Sequence, residues 1–205
     1  TPDAKKIIEV DSNQTTVGAE AISLIAEAAG ANRIETRFAG KTAQTGRYQV
    51  KLEELREATA EDKYRVAAEL VFREAERLKD GALEDRRKSV EKYHEALELY
   101  RRASDRNGEA QTLNNIGEVY WLLREMRKAL EKYNEALPLR RAIDDRRGEA
   151  VTLNNIGVVY RSLGEMQKAL EKYNEALPIS RAVGERSAEA ETLTNIGAVY
   201  RSLGE

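Results

Sequence analysis

The chain has 205 residues, with 34 Lys and Arg against 36 Asp and Glu, for a formal net charge of −2. So even a balance removes any global electrostatic case for nucleic acid or an acidic membrane. The absence of cysteine removes disulfides, thiolate nucleophiles and cysteine zinc sites together. No apolar run approaches the ~20 residues that cross a bilayer, so a soluble chain without a membrane partner is expected; the compartment stays open, with the cytoplasm slightly favoured.

Residues 1–57 alternate as strands do. Ile7, Ile8 and Val10 form a short β-like run before the turn Asp11-Ser12-Asn13. The stretches 21–26 and 33–38 suggest two more strands around Gly30-Ala31-Asn32, and 46–52 places Tyr48, Val50 and Leu52 on one face. A small antiparallel sheet with one apolar side, part of a β-sandwich, is expected here.

From residue 58 the period changes to that of helices. Residues 58–106 read as a degenerate helical hairpin: a first helix over Glu61 to Lys79, a turn near Asp80-Gly81, and a second helix carrying Tyr93, Ala96 and Leu97. Residues 107–146 and 147–186 are two copies of one unit, identical at 28 of 40 positions, which exceeds chance for an ordinary domain. TLNNIG at Thr112 returns at Thr152 and, as TLTNIG, at Thr192; KALEKYNEALP at Lys128 returns unchanged at Lys168. Residues 187–205 hold only a third copy's first helix, roughly Ala188 to Leu203. In each copy Leu113, Ile116, Gly117 and Tyr120, or their equivalents, share a face of the first helix, and Ala129, Leu130, Tyr133, Ala136 and Leu137 a face of the second. Gly164 suits a left-handed C-cap. Pro138 and Pro178 should kink their helices without ending them before about Ile143 and Val183. A lone hairpin cannot cover such a stripe, so stacked neighbours must supply the core.

Ile116-Gly117…Tyr120 followed by Ala129…Tyr133…Ala136 resembles the tetratricopeptide repeat, in a 40-residue bacterial variety. That resemblance implies a mainly α fold, a right-handed α-solenoid preceded by the small β segment, and a non-enzymatic scaffold for protein–protein interaction. The strings PDAKKIIEVDS and GRYQVKLEE resemble the bacterial pre-peptidase C-terminal β-sandwich, and EELREATAEDKYRVAAE looks like the junction joining it to repeats in proteins with a caspase-like CHAT domain. Thr1 is not an initiator Met, and an excerpt of a longer bacterial protein is expected.

No phosphate-binding glycine loop, HExxH or GxSxG occurs. No catalytic residue, metal or cofactor is expected. His94, the one histidine, stands where Asn134 and Asn174 stand in later copies and reads as a solvated helix site. Arg101, Arg102, Arg140, Arg141, Arg146 and Arg147 have Asp neighbours that cancel charge and no aromatic platforms for bases, so a nucleic-acid partner is not expected.

In repeat stacks of this family the first helices line the concave groove. That places Asn114, Asn115, Glu118 and Trp121, then Asn154, Asn155, Val158 and Arg161, then Asn195 and Arg201, as a candidate peptide-binding surface. Carboxamides that donate and accept could pair with a peptide backbone; alternatively they bridge neighbouring helices. A groove without a ligand, as in a structural spacer, is the competing reading. The forward face beside Gly197 and Val199, and the sheet side at Tyr48, Val50 and Leu52, lack cover, so self-association, or the sheet leaning on the first hairpin, is expected.

Overall fold

The computed structural model describes residues 58–204, and the expected strands before residue 58 lie outside them. Seven helices follow one another: α1 Ala60–Lys79, α2 Leu83–Arg102, α3 Arg106–Leu122, α4 Met126–Ala142, α5 Arg146–Ser162, α6 Met166–Ala182 and α7 Arg186–Leu203. The expected helix order and the turn at Asp80-Gly81 are as read from the sequence.

Local chemistry sets the boundaries. The Thr59 hydroxyl accepts from the Asp62 amide at 3.2 Å while Asp62 returns a bond to the Thr59 amide, a capping box that starts α1. Asp105 accepts from the Gly108 amide at 2.9 Å and Asp145 from the Gly148 amide at 2.8 Å, which starts α3 and α5. Gly164 takes φ +79° just after α5, as expected of a left-handed cap, but Arg124 holds the same place after α3 at φ +63°, a conformation that strains a residue with a Cβ. Both prolines leave their helices unbroken: α4 runs to Ala142 and α6 to Ala182. Pro138, Asn134, Pro178 and Asn174 are all exposed, so water reaches the carbonyls that the proline rings leave without a donor.

The helices pair as antiparallel neighbours, α1 with α2, α3 with α4 and α5 with α6, and each second helix packs on the next first helix. In addition α3 touches α5 and α5 touches α7, whereas no comparable contact joins α2 to α4 or α4 to α6. First helices therefore form the inner, tighter edge of the stack and second helices the outer edge.

The core is a chain of clusters, one at each junction. Tyr93, Leu97, Leu113, Ile116, Val119 and Ala136 build one; Ala129, Tyr133, Leu153, Ile156, Val159 and Ala176 build the next; Ala169, Leu170, Tyr173 and Val199 the last. Met126 and Met166 pack at their edges. The motif glycines let the rings in: a Cβ at Gly117 would lie 2.7 Å from the Tyr133 ring, and one at Gly157 2.5 Å from the Tyr173 ring.

The outer-edge arginines are tied down. Arg101 meets Glu109 at 2.8 Å, Arg141 meets Glu149 at 2.7 Å and Arg181 meets Glu189 at 2.7 Å, one ion pair from each second helix to the start of the next first helix. Arg146 joins Glu149 and Arg147 joins Glu185. Arg140, grouped with the surface arginines in the sequence, is 5% exposed and bonds Asn107, Gln111 and Asp145, linking α4 back to α3. His94 differs too. It is half-buried beside Lys132 and Glu135 of α4 and Arg101 and Glu98 of its own helix, and burial, then Lys132, holds its pKa below the usual value.

Candidate protein-interaction face

Inner-edge positions recur at helical spacing. In α3 they are Gln111, Asn114, Asn115, Glu118 and Trp121; in α5 Val151, Asn154, Asn155, Val158 and Arg161; in α7 Glu191, Thr194, Asn195, Ala198 and Arg201. The first hairpin joins the series at an offset of 42 rather than 40; its turn, residues 80–82, is as long as that at 123–125, contrary to the sequence reading, and the extra residues lie in the earlier start of α2, at Leu83. Ala75 then answers Gly117, Glu76 answers Glu118 and Lys79 answers Trp121, and Ala75 sits with Tyr93 in the first core cluster. Glu76 and Lys79 were not singled out in the sequence, since the glycine that marks the register is absent there.

The asparagines take the bridging role. Asn114 Oδ1 accepts from Thr152 Oγ1 and from Asn155 Nδ2, both at 3.3 Å, joining α3 to α5. Asn154 Oδ1 repeats the pattern toward α7, accepting from Thr192 Oγ1 at 3.3 Å and Asn195 Nδ2 at 3.2 Å, and Asn154 Nδ2 donates to Glu191 at 3.0 Å. Asn114, Asn115, Asn154 and Asn195 are buried and Asn155 half-buried. A carboxamide fits because one oxygen takes two donors while its nitrogen serves a third group.

Between α1 and α3 the pattern changes, because Phe72 stands in the register of Asn114. Asn115 Nδ2 donates instead to Glu76 at 2.7 Å, its Oδ1 accepts from Gln111 at 3.2 Å, and the Tyr93 hydroxyl donates to the same Glu76 carboxylate. Lys79 lies 3.4 Å from Glu76 and 3.5 Å from Glu118. Burial works to lower the Lys79 pKa, but Glu118 and Glu76 more than offset it, so the ammonium is held charged. Burial raises the Tyr93 pKa, the Glu76 bond and charge raise it further, and the Asn115 bond opposes them.

The equivalent hydroxyl two repeats on has lost its acceptor. Tyr173 is fully buried and its hydroxyl has no hydrogen-bond partner; Val158 stands where Glu76 accepts from Tyr93 in the first hairpin. Burial pushes its pKa up to about 12. Along the inner edge the carboxylates thus give way, Glu76, Glu118, Val158, Ala198, while Lys79 and Trp121 are followed by Arg161 and Arg201, neither of which forms an ion pair among the described residues. Trp121 is half-buried with its indole N–H 3.5 Å from Ser162 Oγ. Among the described residues no His, Asp and Glu cluster could hold a metal, and no helix is long and apolar enough to cross a membrane.

The family model described as the tetratricopeptide repeat matches residues 72–142 and 148–205, more than half of the chain. The chain belongs to the tetratricopeptide-repeat family. Among solved structures it is similar to BtubC (BKLC) from P. vanneervenii, at 26% identity and a TM-score of 0.56. The likeness covers 74% of this chain and 61% of that one, so the chain spans less than two thirds of its neighbour's length. No curated protein sequence matches. Tetratricopeptide repeats are helical scaffolds that generally mediate protein–protein interaction.

Proposed function

We propose that the tetratricopeptide array binds a polypeptide along its inner edge, read by Glu118 and Trp121, Val158 and Arg161, and Ala198 and Arg201. The observation that carries this reading is where the copies differ. Core residues repeat almost unchanged between 107–146 and 147–186, whereas the partly exposed positions after the asparagine rail change in charge and size. Stacking alone gives no reason for Trp121 to become Arg161. A half-buried tryptophan on the same edge as arginines that form no ion pair among the described residues is the kind of surface on which binding energy concentrates. The asparagines hold the helices that present these side chains, so the ligand is read chiefly by their neighbours. The resemblance of residues 1–57 and the junction to the β-sandwich of CHAT-domain proteins supports a place for the array as a sensor arm of a larger bacterial protein.

Panning a displayed random-peptide library against the full chain tests the proposal. Enriched peptides should bind the native chain and weaken by roughly tenfold or more with Trp121→Ala or with Arg161→Glu/Arg201→Glu, while circular dichroism melts stay within a few degrees. A library that yields no binder, or binders indifferent to both variants, would leave the array a spacer.

A further inference from the structure

In the first hairpin the inner-edge cation is neutralised from two helices. Lys79 meets Glu76, three residues back in its own helix, at 3.4 Å, and Glu118, across in α3, at 3.5 Å. Glu76 also accepts from the Tyr93 hydroxyl and from Asn115 Nδ2. The third hairpin keeps this constellation but has lost its carboxylates. Arg161 answers Lys79, Tyr173 answers Tyr93 and Asn195 answers Asn115, but Val158 stands in place of Glu76 and Ala198 in place of Glu118. Two groups that a carboxylate would serve are left over. The Tyr173 hydroxyl has no acceptor, and half-buried Arg161 forms no ion pair among the described residues. The two share one locality: burial raises the Tyr173 pKa, and the charge of Arg161 opposes it. Glu191, the carboxylate felt there, accepts from Asn154 Nδ2. Both helices that give Lys79 its partners have counterparts at Arg161, namely α5 itself and α7, so the loss is written at residues 158 and 198.

We infer that Arg161 takes a carboxylate from the ligand: the polypeptide on the inner edge carries an Asp or Glu that stands to Arg161 as Glu76 stands to Lys79. This rests on the peptide-binding reading above and adds the chemistry of one ligand residue. Tyr173 is fully buried, so the carboxylate meets the guanidinium and not the hydroxyl beneath. A guanidinium presents paired N–H donors in one plane that match the two oxygens of a carboxylate. Arg161 has no carboxylate of its own to give up, so the ligand gains an ion pair without breaking one. At Lys79 the same step would have to displace Glu76 and Glu118. The acidic residue is therefore read at α5 and not at α1.

Panning the random-peptide library on the full chain, in parallel with its Arg161→Gln and Val158→Glu variants, tests the inference. Peptides selected by the native chain should be enriched in Asp and Glu over the input library, and both variants should lose that enrichment. Changing the acidic residue of a selected peptide to its amide should weaken binding to the native chain by roughly tenfold or more, the worth of one charge-assisted pair. Arg161→Gln should close that gap between the acidic and amide peptides. Val158→Glu should close it too, because it returns to Arg161 the neighbour that Glu76 is to Lys79. Val158→Glu also offers Tyr173 an acceptor, so its circular dichroism melt should match or exceed that of the native chain. Arg161→Glu should prefer the peptide whose acidic residue is changed to lysine. Binders without acidic enrichment, or a gap that survives Arg161→Gln, would overturn this inference and leave the peptide-binding reading standing. A library that yields no binder would overturn both.

Discussion

Adding one methyl group to the same motif glycine should have opposite effects in two repeats. Both Gly157 and Gly197 lie inside helices, where alanine is favoured over glycine by about 0.8–1.0 kcal/mol. At Gly197 the new methyl meets open space, so Gly197→Ala should stabilise α7 by about that amount. At Gly157 it would lie 2.5, 2.7 and 2.9 Å from three atoms of the Tyr173 ring, well inside van der Waals contact, and the fully buried ring has no space to retreat into. Overpacking of this kind costs about 1–3 kcal/mol, which offsets the helix gain and leaves Gly157→Ala destabilised by up to about 2 kcal/mol. Urea denaturation followed by circular dichroism measures Gly157→Ala, and amide exchange along α7 measures Gly197→Ala, since a helix covered on one side opens before the array unfolds. Equal destabilisation by both variants would refute the reasoning, for it would mean that α7 is packed on both sides.

The tyrosines make a second pair. Tyr93→Phe removes a hydroxyl bonded to Glu76 and should cost about 1.5–3 kcal/mol, whereas Tyr173→Phe removes one without a partner and should be neutral or stabilising in the same melt; the reverse order would show that the Val158 position is not what separates them. For His94 the folded pKa lies below the unfolded value of 6.5, so its contribution to stability is present above that pH and is lost as pH falls through 6.5 toward the folded pKa. His94→Asn, which copies Asn134 and Asn174, should flatten the dependence of urea midpoint on pH between 7 and 5, and an unchanged slope would count against the burial described here.

The sequence made the hairpins legible because Gly117, Tyr133 and Ala136 each do one job, closest approach, filling and closest approach again, and each returns 40 residues later. The first hairpin was harder. Its glycine is replaced by Ala75 and its second helix starts earlier, at Leu83, so Glu76 and Lys79 could not be placed in the series without the packing of Tyr93. The asparagines show where pattern reading stops. Bonding a peptide and bonding the next repeat demand the same carboxamide at the same register, and the bonds from Thr152 and Thr192 that the packing adds are not written in that pattern. His94 was read as solvated, and the burial of Arg140 was missed, for a related reason: what buries them comes from α3 and α4, more than twenty residues away along the chain.

The two edges of the stack are joined by different bonds, and this makes the array mechanically lopsided. On the inner edge, α3, α5 and α7 touch and are laced by buried neutral hydrogen bonds through Asn114 and Asn154. On the outer edge, α2, α4 and α6 stand apart, and each is tethered to the following hairpin by an arginine–glutamate pair whose arginine is exposed. Water and salt weaken the exposed tethers far more than the buried rail. Any opening of the stack should therefore begin by spreading its outer helices, as a book opens about its spine, and change the spacing between Trp121, Arg161 and Arg201 least.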